Sequence, residues 1–355
     1  MKAVIAYHEK YKQYDLGPGH PFRGDRFVNA MNFFKERSLT SREDVVFVEP
    51  EPAKEEDLLR VHDENYIKLI FKLCERGQPY DIETPCSQTI LEALLLIVGG
   101  GIKVSSMVVK GEAIKGVSIG GGFHHAGRDY GGGFCIFNDI AITVEYLREK
   151  FKIKRFLIID HDVHAGNGTS DIYYKDPTVL FISLHQDPRT IYPGTGFIEQ
   201  IGEDEGCGYN VNIPLPPGTD NESYLYALKE IVCPLAEEFR PEIIISNGGS
   251  DPHFADMLGS LSITAEGFYR IAREISVLAD KLCGGKYVLM PGSGYNPSVL
   301  PVCWYALITG AIGIIPGSLR DPYASPSAKP NIRREVENIV KKIKEVLKSH
   351  WTCFE

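Results

Sequence analysis

The sequence predicts a single α/β domain with a mainly parallel central sheet flanked by helices. Short apolar runs recur at 3–6, 45–48, 116–119, 156–159, 179–184, 243–246 and 287–290. Each has the length of a buried strand, and helix-like segments lie between most of them. Strands alternating with helices imply parallel pairing under helices on both faces. No Pro/Ser-rich linker, low-complexity stretch or repeat interrupts the 355 residues, so the chain reads as one domain over 1–355.

Helical patterns at 30–34 and 58–74 precede the third apolar run, with 88–109 following closely. Further helices are expected at 139–150, 224–239 and 268–282. Thr219-Asp-Asn-Glu222 fits a capping box opening the 224 helix. The most apolar run, 302–315, falls short of membrane thickness and contains Thr309, Gly310 and Gly313, so it reads as a core helix. Between Arg333 and Lys348, Val336, Ile339, Val340, Ile343, Val346 and Leu347 recur with helical period among charged residues. That predicts a C-terminal amphipathic helix at about 331–348, docked on the body.

A net charge of −9 and a pI near 5.7 argue against a nucleic-acid-binding surface. No membrane span is expected, and the N-terminal apolar run is too short for a signal peptide. The eight cysteines are scattered without a C-x-x-C pair, which suggests reduced, mostly buried thiols and a cytoplasmic protein.

The chemistry collects in loops following the runs that end at 119, 159, 184, 246 and 290. Ligand sites of open α/β sheets lie at the strands' carboxyl ends, so these loops should meet. In Asp160-His-Asp162-Val-His164-Ala-Gly-Asn167-Gly, alternate residues of an extended segment share a face, so Asp162 and His164 can converge on one ion. A carboxylate and an imidazole suit zinc or ferrous iron, and Asp251, just past a buried strand, is the natural third ligand. Three protein ligands leave a position open for water and substrate, as a catalytic site requires.

The adjacent His124 and His125 suit a hydrolase in which one imidazole moves a proton and the other stabilises charge. Tyr192 sits in a rigid Pro/Gly loop as a wall residue, and Tyr295, flanked by Gly294 and Pro297, could donate its O–H to an oxyanion at the rim. Taken singly, each has a plainer reading: a capped strand end, loop histidines bonded to backbone, a turn aromatic. Their joint order along the chain is what is specific.

Together these residues resemble the histone deacetylase family, including its acetylpolyamine amidohydrolase and acetoin-utilisation-type members. The resemblance runs from about His20-Pro21 to Trp304. It includes Val61-His-Asp-Glu-Asn-Tyr66, the His124-His125 pair, Gly133-Phe-Cys, Asp160-x-Asp162-x-His164, Ser183-Leu-His185, Asp251 and Gly294-Tyr295.

It implies an arginase/deacetylase-like fold and a zinc- or Fe2+-dependent hydrolase releasing acyl groups from amines. Asp162, His164 and Asp251 would be the metal ligands, and His125 the general base and acid. His124 would be its electrostatic partner, with Asp160 orienting His124 and Asn167 behind His125. Tyr295 would polarise the substrate carbonyl and Gly133 offer its carbonyl to the substrate amide. Phe134 and Tyr192 would flank an acyl-lysine-width tunnel. Potassium (K+) would lie beside the zinc loop through Asp160, Asp162, His164, Ser183 and Leu184, with a second near Tyr173, Asp176 and Val179.

Departures bear on this reading. Many relatives carry a third histidine where this chain has Ala165, and an aspartate where it has Asn167; a neutral partner favours an unprotonated His125. His253 is an unusual potential ligand, for a second metal or a supporting role. No acidic rim residue of the kind that grips a peptide backbone is evident. Small acylated amines, such as acetylpolyamines or acyl-lysine derivatives, are therefore the expected substrates, with acetyl-lysine proteins the alternative. The segment 14–23 should shape the entrance. Two rivals stand further off: an arginase-like ureohydrolase, whose D-x-H-x-D motif would need an acid at Gly166, and a non-catalytic acyl-group reader.

Overall fold

The computed structural model describes residues 2–355. Its strands are β1 (Ala3–Ala6), β2 (Val45–Val48), β3 (Lys115–Ser118), β4 (Phe156–Asp160), β5 (Val179–Gln186), β6 (Asn210–Leu215), β7 (Ile243–Gly248) and β8 (Tyr287–Pro291). Among the described residues these form one sheet in the order β2-β1-β3-β8-β7-β4-β5-β6, every pair parallel. The chain builds outward on one side through β1 and β2, then outward on the other through β4, β5 and β6. β7 and β8 return to fill the middle, so neighbouring strands there are reached from opposite directions. This arrangement opens a crevice at the carboxyl ends.

The helices are α1 (Asp25–Glu36), α2 (Glu55–Leu58), α3 (Glu64–Arg76), α4 (Gln88–Val109), α5 (Asp139–Phe151), α6 (Asn167–Tyr173), α7 (Asn221–Ala227), α8 (Cys233–Phe239), α9 (Ala265–Cys283), α10 (Leu300–Ile312) and α11 (Ile332–Leu347). α9 packs on α10 and α10 on α1, while α4 lies against β1, β3 and α5. β4 is buried on both faces, and each large side chain such as Phe156 adds about 1.5–3 kcal/mol by leaving water. α4 is long and apolar enough to cross a membrane, but most of it is buried within the fold. α11 docks Val336, Val340, Ile343 and Leu347 as its period predicts.

Several expectations are corrected. β6 lacks a continuous apolar run, because Asn210, Asn212 and Pro214 alternate with Val211, Ile213 and Leu215; at a sheet edge a proline is tolerated. The helix expected over 58–74 breaks between α2 and α3, where Asp63 N–H donates to the Arg128 carbonyl. The 224 helix is capped by the Asp220 side chain, which accepts from Ser223 N–H, while Thr219 instead closes a turn onto the Pro216 carbonyl. A π-turn at Leu228–Val232 precedes Pro234, whose missing N–H would break a regular ladder. Cys74 and Cys86 form a disulfide, with Cα atoms 4.6 Å apart, leaving six free cysteines. The end of α3 and the approach to α4 bring together two thiols that look unrelated in sequence.

Candidate active site

β4 ends at Asp160, and the loop beyond it brings the Asp162 and His164 side chains together. Asp162 Oδ1 lies 3.0 Å from His164 Nδ1, and Asp251, from the loop after β7, brings Oδ2 to 3.3 Å from the same nitrogen. One ligand atom from each lies within 4.8 Å of the others, and all three residues are buried. Asp251 Oδ1 accepts from Ser293 Oγ at 2.8 Å, but Oδ2 has no hydrogen-bond partner. Burial, then the charge of Asp162, pushes the Asp251 carboxyl up to about 8. Two buried carboxylates facing one imidazole, one oxygen orphaned, make a donor set that fits a divalent cation.

The histidine pair stands beside it. His124 Nδ1–H donates to Asp160 Oδ2 at 2.6 Å, and Asp160 Oδ1 accepts from Asp162 N–H and Asn247 Nδ2. His125 Nδ1–H donates to Asn167 Oδ1 at 2.7 Å, leaving Nε2 with a lone pair 3.1 Å from His124 Nε2. Burial favours a neutral His124, but Asp160 and Asp162 outweigh it and hold its pKa at about 9. Burial, then the charges of His124 and His164, drives His125 well below its ordinary value. These shifts favour charge on His124 and a neutral His125.

Tyr295 is 8% exposed and sits inside the slot, not at the rim as expected. Burial, then the charges of Asp251 and Asp162, raises its phenol well above 10, so it remains an O–H donor. Its ring lies 5.8 Å from Phe134, whose φ of +68° puts a bulky residue in the left-handed region. Tyr14 O–H bonds the Phe134 carbonyl at 2.7 Å and His20 packs edge-on against the ring, so segment 14–23 shapes the entrance as expected. Gly133, φ +52°, is a required glycine: a Cβ there would lie 2.3 Å from the His125 ring. Tyr192 is half exposed, 5.0 Å from His125 across its ring face, and its loop is held by His185 Nε2 on the Gly196 carbonyl. Asp160 and Ser183 are register partners in β4 and β5, and the Leu184 carbonyl accepts from Tyr224 O–H. Tyr173 ends α6, Asp176 lies in the turn that follows and Val179 opens β5.

Two alternatives lose ground. A Cβ on Gly166 would sit 2.3 Å from Asp160 Oδ2 and 3.1 Å from His124 Nδ1, so an acid at that position has no room. His253, near Cys303 and Asp321, accepts Ala255 N–H on Nδ1 and donates Nε2–H to Asp321 at 2.8 Å. With both nitrogens engaged it has no lone pair to offer a metal.

Sequence reading missed four contributors. Arg26 is buried, donates to the Arg23, Gly292 and Pro21 carbonyls, and stacks on Phe22 within 5.6 Å of the Tyr295 ring. On a helix it resembled any solvated charge. Asp256 binds the Tyr295 backbone. The rim also carries acids: Asp81 and Glu83 lie on the loop whose Glu83 carbonyl meets His20 Nε2 at 3.1 Å, beside Phe134, and burial is the main cause that raises the Tyr192 phenol to about 12.

A model of the histone deacetylase domain matches residues 20–311. A probable deacetylase of Archaeoglobus fulgidus is 34% identical over a 366-residue alignment covering 100% of both chains. The acetoin utilization protein AcuC of Bacillus subtilis is 35% identical over 326 residues, 89% of this chain and 83% of that one. A crystal structure of the HDA15 HD domain superposes with a TM-score of 0.88 at 24% identity, over 100% of this chain and 98% of that chain. At that identity the likeness speaks for the fold alone.

Proposed function

The chain belongs to the histone deacetylase family and is a deacetylase; from that premise we propose a zinc-dependent amidohydrolase that acts on small acylated amines. The observation that carries the metal is the buried Asp162–His164–Asp251 set with its orphaned carboxylate oxygen. A zinc ion held there, or ferrous iron, would supply Lewis acidity toward the amide carbonyl and lower the pKa of water. His125, whose Nδ1–H is held by Asn167 and whose Nε2 carries the lone pair facing His124 Nε2, takes the proton from the attacking water and returns it to the leaving nitrogen. The His124 imidazolium, anchored on Asp160, stabilises the negative charge that develops. Tyr295 O–H donates to the amide oxygen, and the Gly133 carbonyl accepts the substrate N–H. Asn167 fixes the His125 tautomer. Phe134 and Tyr192 form the walls around the alkyl stem. Potassium beside the zinc loop, through Asp160, Asp162, His164, Ser183 and Leu184, belongs to the same proposal, as does a single catalytic domain over 1–355.

The substrate class is supported by the rim. Asp81 and Glu83 lie on the loop whose Glu83 carbonyl meets His20 Nε2 at 3.1 Å, His20 itself packing on Phe134, and carboxylates placed there favour an acylated amine bearing a second positive charge, as an acetylpolyamine does. One observation favours acetyl-lysine proteins instead: Ile82 is 99%, Met257 62% and Tyr192 48% exposed, an apolar fringe that a polypeptide could cover. Comparing kcat/KM for an acetylated diamine, free acetyl-lysine and an acetylated peptide, each with and without chelator, decides both points. Equal turnover in chelator would overturn the metal; a strong preference for the peptide would overturn the small substrate and leave the mechanism standing.

A further inference from the structure

We infer that Asp256 is a positioning residue for Tyr295, one that locks the phenol's loop to the loop carrying the metal ligand Asp251. This rests on the oxyanion role proposed for Tyr295. The Asp256 carboxylate is nearly buried, and it is spent on backbone. Oδ2 accepts the N–H of Tyr295 at 2.7 Å and of Asn296 at 3.1 Å, and Oδ1 accepts the N–H of Leu258 at 3.0 Å. The tie is reciprocal, because Asn296 Nδ2 donates to the Ala255 carbonyl at 2.6 Å.

Further strands of the same lacing run behind it. Ser250 N–H donates to the Ser293 carbonyl, and Ser293 Oγ donates to Asp251. His253 anchors the segment's far side on Asp321. Asp251 and Tyr295 therefore end two loops that cannot shift independently. Gly294, two residues after the Gly292 that follows β8, has φ +120°, a conformation only glycine tolerates readily. Nothing in the covalent chain fixes the phenol's height above the metal ligands, so a bonded clamp must. An O–H aimed at a developing charge loses most of its value when misplaced by about 1 Å.

The test is a double-mutant cycle on the full chain, with metal content and thermal midpoint measured for each variant. Asp256→Ala removes all three acceptor contacts and should lower kcat about tenfold or more with KM and metal content little changed. Asp256→Asn can still turn its amide oxygen to Tyr295 and Asn296, and should recover most of the loss. In the Tyr295→Phe background, Asp256→Ala should cost less than about threefold, because the group it positions is gone. Equal losses in both backgrounds, or no loss in the first, would overturn the inference while leaving Tyr295 in its role. An unimpaired Tyr295→Phe would instead overturn the oxyanion reading and this inference with it. Should Asp256→Ala not fold, Asn296→Ala cuts the reciprocal bond and enters the same cycle with the same criterion.

Discussion

The floor and the rim of the site are built by opposite means. On the floor most polar groups are buried and bonded: His124 to Asp160, Asp160 to Asn247, His125 to Asn167, Asp251 to Ser293. At the rim, Ile82, Tyr192 and Met257 are exposed, the first on the loop closed by the Cys74–Cys86 disulfide and the others on the loops after β5 and β7. The low dielectric of the floor makes each charge there consequential, and water screens the charges of the rim. Chemistry should therefore be brittle to single changes, and selectivity should drift in small steps.

The largest effect expected is at the floor. Asp251→Ala should abolish turnover and release the metal, since it removes one of three ligands and leaves the other two without closure. The variant should keep its fold, seen as an unchanged far-ultraviolet circular dichroism spectrum. Stoichiometric metal by elemental analysis in that variant would break the comparison at its base. Next comes Tyr295→Phe, expected to lower kcat about a hundredfold or more with metal content intact, as removal of one oxyanion donor does. His125→Ala should fall at least as far as His124→Ala, because one carries the proton and the other only shapes its field. The reverse ranking would exchange their roles.

How much of this was legible follows the same division. Asp162, His164, Asp251 and the histidine pair could be read because polar residues closing apolar strands form a local pattern. The parallel sheet was readable for the same reason, except β6, whose asparagines and proline alternate with its apolar residues and break the continuous run. Arg26 and Asp256 could not be found that way. Their partners are backbone atoms of Gly292 and Tyr295, far along the chain, and no sequence periodicity reports a pairing with a remote amide or carbonyl. The same holds for Cys74 and Cys86, joined only when α3 and α4 are laid side by side.

A smaller effect tests how the floor is held. His62 is buried, and its Nε2 accepts the N–H of Asn138, which caps α5 below the histidine loop. Burial pulls its pKa from 6.5 down to about 4. Above 6.5 both folded and unfolded states are neutral; as pH falls the unfolded chain takes the proton first. Stability is thus complete above 6.5 and is lost as pH falls toward 4, by about 2 kcal/mol at pH 5 from this group alone. Urea midpoints at pH 7 and 5 for the native chain and for His62→Gln measure it. The variant should begin less stable and lose less on acidification; equal losses would show that His62 is not what couples the floor to pH.

The smallest effect belongs to the rim and sharpens the contrast most. Asp81 and Glu83 act on Tyr192 through space, at loop positions where water screens them. Neutralising both, as Asp81→Asn with Glu83→Gln, should lower kcat/KM for an acylated diamine by about threefold to tenfold, chiefly through KM. A neutral acylated amine of the same stem length should be turned over almost unchanged. Raising the salt concentration should shrink the native chain's preference for the charged amine, because exposed charges lose their reach as the Debye length shortens. The floor-based steps should feel salt little, since their charges lie out of water. Parallel losses for charged and neutral amines would mean that these acids support the loop without reading the substrate. The apolar fringe of Ile82, Tyr192 and Met257 would then be the surface that selects.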